Sequence, residues 1–226
     1  WVTIHTDEGI SGLGETFFGV KAVEAFIHET AAPKLLGRDP LEIERISLDL
    51  TPYVGFSGSG AETRGRSAID VALWDLFGKV TEQPVFQLLG GLARKKIRTY
   101  NTCAGYRYVR SRPDWDTSDW GLESPSEGPY EDLDAFLNRP DELALDLLGQ
   151  GITGMKIWPF DHAAKDSDGY YISSESLDRC LEPFRKIRKA VGDKMDIMVE
   201  LHSLWRLPAA LKIAEALEPY NPYWYE

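Results

Sequence analysis

Cysteine is scarce in this 226-residue chain: it has two, Cys103 and Cys180, far apart in sequence. That excludes a disulfide framework, and two reduced thiols in a cytoplasmic protein are the expectation. Long hydrophobic runs are missing too. None approaches the ~20 residues of a membrane helix, and no signal-peptide pattern opens the chain. Positive charge is in deficit, with 25 Lys and Arg against 36 Asp and Glu, a net charge of −11. Neither a nucleic-acid surface nor an anionic membrane suits such a balance. What the chain does have is core-forming material: 43% of its residues are hydrophobic and 12% aromatic. Its length fits one large domain or two modest ones.

Residues 1–96 read as a small mixed domain. The stretch WVTIHTDEGISGLGE is strand, Asp-Glu-Gly turn and second strand, which is hairpin chemistry. It begins in mid-strand without a methionine, so further residues are expected before Trp1. A helix is expected from Val20 to Ala31, stopping before Pro33, and another after Pro40 in PLEIERISLDL. The most regular helix is TRGRSAIDVALWDLFGKV, where Ile69, Ala72, Leu73, Leu76 and Phe77 fall on one stripe. Gly-Lys and Pro84 close it, and PVFQLLGG makes a short helical turn ending in two glycines.

From Ile97 the rhythm changes to alternating strands and helices. KIRTYNTC, TGMKIWPF, KMDIMVEL and PYWYE read as strands. PDELALDLLGQG, SSESLDRCLEPFRKIRKAVG and LPAALKIAEALEPY read as helices. Such alternation indicates a parallel sheet with helices outside it. A closed eight-fold β/α barrel needs about 250 residues. The stretch 97–226 holds roughly half of one, so the rest of the barrel is expected beyond Glu226. The segment around residues 104–138 is a long loop carrying Arg107, Arg110, Arg112, Trp115 and Trp120, either a ligand-facing element or a surface insertion.

In parallel α/β sheets the site lies at the C-terminal strand ends. Three strands end in polar groups here: Lys156 in TGMKIWPF, Glu200 and His202 in DIMVELHSLW, and Glu226 in PYWYE. Residues two apart on a strand share a face, so Glu200 and His202 are expected to project together. Carboxylates on successive strand ends suit a hard divalent cation such as magnesium. Two plainer arrangements use the same residues: Lys156 paired with Glu200 and no metal, and His202 as a satisfied core histidine.

The stretch TRGRSAIDVALWDLFGKVTEQPVFQLLGG resembles the signature of the mandelate racemase/muconate lactonising enzyme group of the enolase superfamily, and TDEGISGLGET resembles that group's opening hairpin. The resemblance spans essentially the whole chain. It implies an α+β capping domain, residues 1–96, followed by a TIM-type (β/α) barrel whose first half is residues 97–226. It also implies Mg²⁺, a small-molecule sugar-acid substrate, and a homo-oligomer. Glu200 and Glu226 would be the first two metal ligands, with the third beyond the chain end. Lys156 matches the first lysine of the group's Lys-x-Lys pair.

Two departures narrow the reading. Trp158 stands where the second lysine, a base in racemase-like members, would be; an indole cannot take a proton, and Trp158 is expected at the substrate with Phe17 and Phe18. The first ligand is Glu200 where the group usually has Asp. His202 resembles the histidine with which acid-sugar dehydratases of the group protonate a departing β-hydroxyl, a task suited to an imidazole. The implied activity is dehydration of a sugar acid to a 2-keto-3-deoxy acid, with Lys156 and His202 catalytic. Alternatives on the same scaffold are a racemase, epimerase or cycloisomerase, or a non-catalytic sugar-acid-binding protein. The resemblance also implies two closing loops, GETFFGVK and YVGFSGSG. In the first, Phe17 and Phe18 would either exclude water from the substrate or pack between domains.

Overall fold

The computed structural model describes residues 1–52, 60–105, 131–165 and 167–226. The chain divides into two compact units, Trp1–Lys96 and Ile97–Glu226. The expected loop YVGFSGSG lies largely outside the described residues, and so do Arg107, Arg110, Arg112, Trp115 and Trp120.

In the first unit, β1 (Val2–His5) and β2 (Ser11–Gly14) pair antiparallel, Val2 opposite Gly14 and His5 opposite Ser11. Helix α1 (Val20–Ala25) does not stop before Pro33 as the sequence reading expected. It runs through a widened π turn, Phe26–Ala31, into α2 (Ala32–Leu35), where Pro33 sits in the first turn. A proline there forfeits no hydrogen bond that a first turn would make, so the helix can restart around it. Helices α3 (Ile43–Leu50), α4 (Ala61–Thr81) and α5 (Val85–Leu88) follow.

The predicted stripe on α4 is the core: Ile69, Ala72, Leu73 and Leu76 are buried, and Phe77 packs against the cluster that includes Ile43, Ile46 and Leu50. Strand β2 lies directly on this helix. A Cβ at Gly12 would stand 1.9 Å from the Ala72 carbonyl oxygen, and one at Gly14 equally close to that of Ala68. Only glycine permits this approach. Helix α4 ends in a Schellman turn: Glu82 takes the left-handed conformation (φ 53°), and the Gln83 N–H donates to the Gly78 carbonyl at 2.9 Å. The close is thus made by Glu82, with the Gly-Lys pair still inside the helix.

The second unit carries a three-stranded parallel sheet in the order β3 (Gly154–Ile157), β4 (Asp196–Val199), β5 (Trp224–Tyr225). Around it are α6 (Asp132–Asn138), α7 (Pro140–Gly149), the short α8 (Asp161–Lys165), α9 (Ser174–Val191) and α10 (Leu207–Leu217). Ser173 caps α9 by accepting the Ser176 N–H at 3.0 Å. The apolar side of α9, with Leu181, Phe184, Ile187 and Val191 buried, joins Met155, Ile157, Ile197, Val199 and Ile213 in one core. The strand expected in KIRTYNTC is reduced to a single parallel bridge, Asn101 to Met155. Asn101 donates to the Gly154 carbonyl and accepts from the Lys156 N–H. Both cysteines are free and buried, and burial pushes the thiols up, that of Cys180 to about 11. No helix among the described residues is long and apolar enough to cross a membrane.

Candidate active site

Register builds the site. In the parallel sheet Lys156 lies level with Met198, which lies level with Trp224; Ile157, Val199 and Tyr225 form the next row. The ladder continues one residue past the formal strand ends: Glu200 N–H donates to the Ile157 carbonyl at 3.1 Å, and Glu226 N–H to that of Val199 at 2.8 Å. Alternation along neighbouring, in-register strands therefore puts Lys156, Trp158, Glu200 and Glu226 on one face. They line a cleft of about 260 Å³ together with Thr102, Ala104 and His202.

The two carboxylates meet at one cation. Lys156 Nζ donates to Glu226 Oε2 at 2.7 Å and to Glu200 Oε2 at 3.0 Å. The Lys156 and Glu200 side chains are only 11% and 8% exposed, whereas Glu226 is 53% exposed. Burial by itself would lower the Lys156 pKa, but the bonds to Glu226 and Glu200 outweigh it and raise it. The Glu226 carboxyl is held below its usual range, chiefly by the same lysine. Lys156 thus occupies the point between the carboxylates in which the sequence reading placed a metal, and the lysine–glutamate pairing noted there as the plainer arrangement is present.

The donor set nevertheless fits a hard cation. Two carboxylate oxygens converge on a single positively charged atom beside an open cleft, the chemistry magnesium prefers. Among the described residues no group of three or more His, Cys, Asp and Glu side chains is close enough to form a complete set.

His202 reaches the cleft by a route the sequence reading missed. Strand β4 ends at Val199, and both His202 (φ 49°) and Ser203 (φ 56°) take the left-handed conformation. Strand alternation therefore does not account for Glu200 and His202 facing together, because the backbone is no longer extended at position 202. A turn does it instead: the His202 N–H donates to Glu200 Oε1 at 2.7 Å. Two successive non-glycine residues with positive φ cost on the order of 1 kcal/mol each or more, a strain found at functional sites.

The imidazole is held on two sides. Trp158 meets it edge-on with ring centroids 5.2 Å apart, and Nδ1 lies 2.9 Å from Asp161 Oδ2. Asp161 is fully buried, and burial pushes its carboxyl up against the opposing effect of the His202 bond. Sequence reasoning overlooked Asp161. The available signal was a lone carboxylate in the apolar run from Ile157 to Ala164, directly after the Lys156 strand. Trp158, expected to contact substrate, is buried and lines the cleft while packing on Phe136.

The comparisons with known proteins identify the family. Residues 1–90 match the mandelate racemase/muconate lactonizing enzyme N-terminal domain, and residues 141–226 match the enolase C-terminal domain-like family. The chain belongs to the mandelate racemase/muconate lactonizing enzyme group of the enolase superfamily. Its fold is accordingly that group's α+β capping domain followed by part of the barrel.

Solved members of the superfamily align along the whole chain. An enolase of the mandelate racemase subgroup from Agrobacterium tumefaciens is 53% identical with a TM-score of 0.80, the match covering 100% of this chain and 52% of that one. An enolase protein from Sargasso Sea environmental sequence is 41% identical with a TM-score of 0.81, over the same shares. Among curated relatives, the D-galactonate dehydratase of Ralstonia nicotianae is 29% identical, with 100% of this chain matching 50% of its length. The D-gluconate dehydratase of Thermoproteus tenax is 30% identical, with 100% of this chain matching 39% of its length. This superfamily chain spans half or less of the length of these curated relatives.

Phe17 and Phe18 belong to the first unit. Their rings meet edge-to-face at 4.8 Å, Phe17 is 61% exposed, and the Arg64 guanidinium lies 4.9 Å from the centre of the Phe18 ring.

Proposed function

We propose that the protein is a magnesium-dependent carbon–oxygen lyase that dehydrates a sugar acid to a 2-keto-3-deoxy acid. The observation that carries this reading is the convergence of Glu200 and Glu226 on one cationic point, with His202 on the rim of the same cleft. The names of the curated relatives, dehydratases of D-galactonate and D-gluconate, support the substrate class.

The hydrogen next to a carboxylate is too weakly acidic for a side-chain base unless the developing enediolate charge is stabilised. A magnesium ion held by Glu200 and Glu226 would supply that stabilisation at the substrate carboxylate. Lys156, the cation between these residues, helps hold the substrate's carboxylate end. The α-proton goes to a group in the part of the relatives that this chain does not span, or to Lys156 once it has lost its own proton, which its bonds to Glu226 and Glu200 oppose. His202 gives a proton to the departing β-hydroxyl, which leaves as water. Trp158 shapes the wall beside His202 and offers no base, so proton return by a lysine at that position, as racemisation would need, is not part of the reading. Phe17 and Phe18 would act from the first unit as a water-excluding loop. We take residues 1–96 as the capping domain, 97–226 as the catalytic one, and the assembly as a homo-oligomer.

The test uses the full-length protein with magnesium and a library of acid sugars, with semicarbazide to detect 2-keto acids. At least one sugar acid should be consumed; turnover of none would sink the proposal. His202→Asn should abolish dehydration and leave exchange of the α-proton with deuterated solvent in place.

A further inference from the structure

We propose that Asp161 is a positioning residue for His202. It fixes the imidazole so that Nδ1 keeps its proton and Nε2 is the nitrogen through which protons pass to and from a molecule in the cleft. The inference deepens the dehydratase reading and rests on it for the role of His202, but its geometry stands independently.

Asp161 opens helix α8, three residues past Trp158, at a position with no solvent exposure. Its Oδ2 lies 2.9 Å from His202 Nδ1, while its Oδ1 is buried with no hydrogen-bond partner among the described residues. A carboxylate is costly to bury, and one of its oxygens gains nothing in return. Burial of this group is accounted for by the bond to the ring. Opposite an ionised Asp161, which can only accept, Nδ1 is the donor and the lone pair of the neutral ring falls on Nε2. The Trp158 edge contact restricts the same ring, and the bond from the His202 backbone N–H to Glu200 Oε1 fixes the turn that carries it. The imidazole is thus held by groups from two strand ends and a helix start, and Asp161 is the one that selects its tautomer. The opposite arrangement is chemically distinct: a protonated Asp161 would donate to Nδ1 and leave the hydrogen on Nε2.

Two measurements on the full-length, magnesium-loaded protein test this. The first is the ¹⁵N spectrum of histidine-labelled protein with its imidazoles neutral, the His202 signals being assigned through His202→Asn. A protonated Nδ1 and a bare Nε2 are expected. The reverse pattern overturns the inference, and this result does not depend on any substrate being known or on any Asp161 variant folding. The second compares Asp161→Asn with wild type on a sugar acid found in the screen above. A fall in kcat of about 100-fold or more is expected, with KM within about threefold and α-proton exchange retained. Parallel loss of dehydration, exchange and thermal stability would mean a merely structural role and overturn it. The two readings fail separately. Dehydration surviving in His202→Asn removes the acid role given to His202 above. Dehydration lost in His202→Asn but intact in Asp161→Asn removes only the positioning role.

Discussion

The two units treat charge in opposite ways. In Trp1–Lys96 the described ion pairs lie at the surface: Arg38 with Asp49 and Glu42, Arg45 with Asp49, and Lys79 with Asp75, every member at least a quarter exposed. That unit is held together by close backbone packing of β2 on α4 and by an apolar stripe. Ile97–Glu226 has exposed pairs as well, yet among the described residues the buried charged side chains, Asp161 and Glu200, are both found there, Glu200 lining the cleft and Asp161 bonded to the His202 ring. Surface pairs contribute little to stability, so their placement is nearly free. Buried charges carry a large desolvation cost and persist where something else requires them. The contrast is the ground for placing the proposed chemistry in the second unit, and it makes no reference to any relative.

Substitutions in each unit can break that contrast. The largest stability effect is expected at Gly12→Ala, where the new Cβ collides with the Ala72 carbonyl and β2 must lift off α4. A loss of about 3 kcal/mol is expected from chemical denaturation, without change in the cleft. An effect below about 1 kcal/mol would show that backbone packing is not what holds the first unit. Next comes Lys156→Met, which leaves Glu200 and Glu226 facing each other with no cation. In chelator it should cost about 2 kcal/mol, less than for a fully enclosed pair because Glu226 is half exposed. The matched change at the surface, Lys79→Met, should cost about 0.5 kcal/mol. Equal losses at the two lysines would abolish the distinction between the units.

Magnesium sharpens the same comparison. A ligand that binds only the folded state raises stability by RT ln(1 + [L]/Kd). Added Mg²⁺ should raise the unfolding midpoint of the full-length protein, and should raise that of Lys156→Met more, because the ion then has no ammonium to displace. No shift in either protein would remove Glu200 and Glu226 as metal ligands.

Legibility in the sequence followed the same division. The α4 stripe could be read because its five apolar residues repeat at helical spacing, and burial obeys that spacing. The strand ends could be read because parallel register carries Lys156, Glu200 and Glu226 to one face, and no turn intervenes. What could not be read depends on backbone that leaves the regular pattern. The π turn before Pro33 has no compositional mark. The left-handed pair His202–Ser203 replaces strand alternation by a turn that a Glu200 oxygen stabilises. The pairing of Asp161 was illegible for a different reason. Its partner lies 41 positions along the chain, and no local period links an aspartate at a helix start to a histidine beyond another strand. Lys156 lines the same cleft as both carboxylates, but the sequence does not tell which cation stands between them.

The smallest expected effect tests the surface side of the comparison through pH. The Asp75 carboxyl is held below its ordinary value of 3.8, chiefly by the bond from Lys79 at 2.6 Å and with help from the Leu13 N–H. A carboxyl whose folded pKa is depressed stabilises the fold fully above the unfolded value, and the contribution is lost as pH falls through the folded one. The folded protein should therefore lose this increment only below about pH 4, where the unfolded chain binds the proton more readily. Asp75→Asn keeps an oxygen to accept from Leu13 but cannot ionise, so its stability should change less steeply across that acid window. Above it the variant should be less stable than wild type by about 0.5 kcal/mol, since both partners are well exposed. Thermal midpoints from pH 2 to 7 check this. If the wild-type and variant curves stay parallel down to pH 2, the Lys79 pair does not couple charge to stability. The strand-to-helix contact at Leu13 would then rest on the hydrogen bond alone.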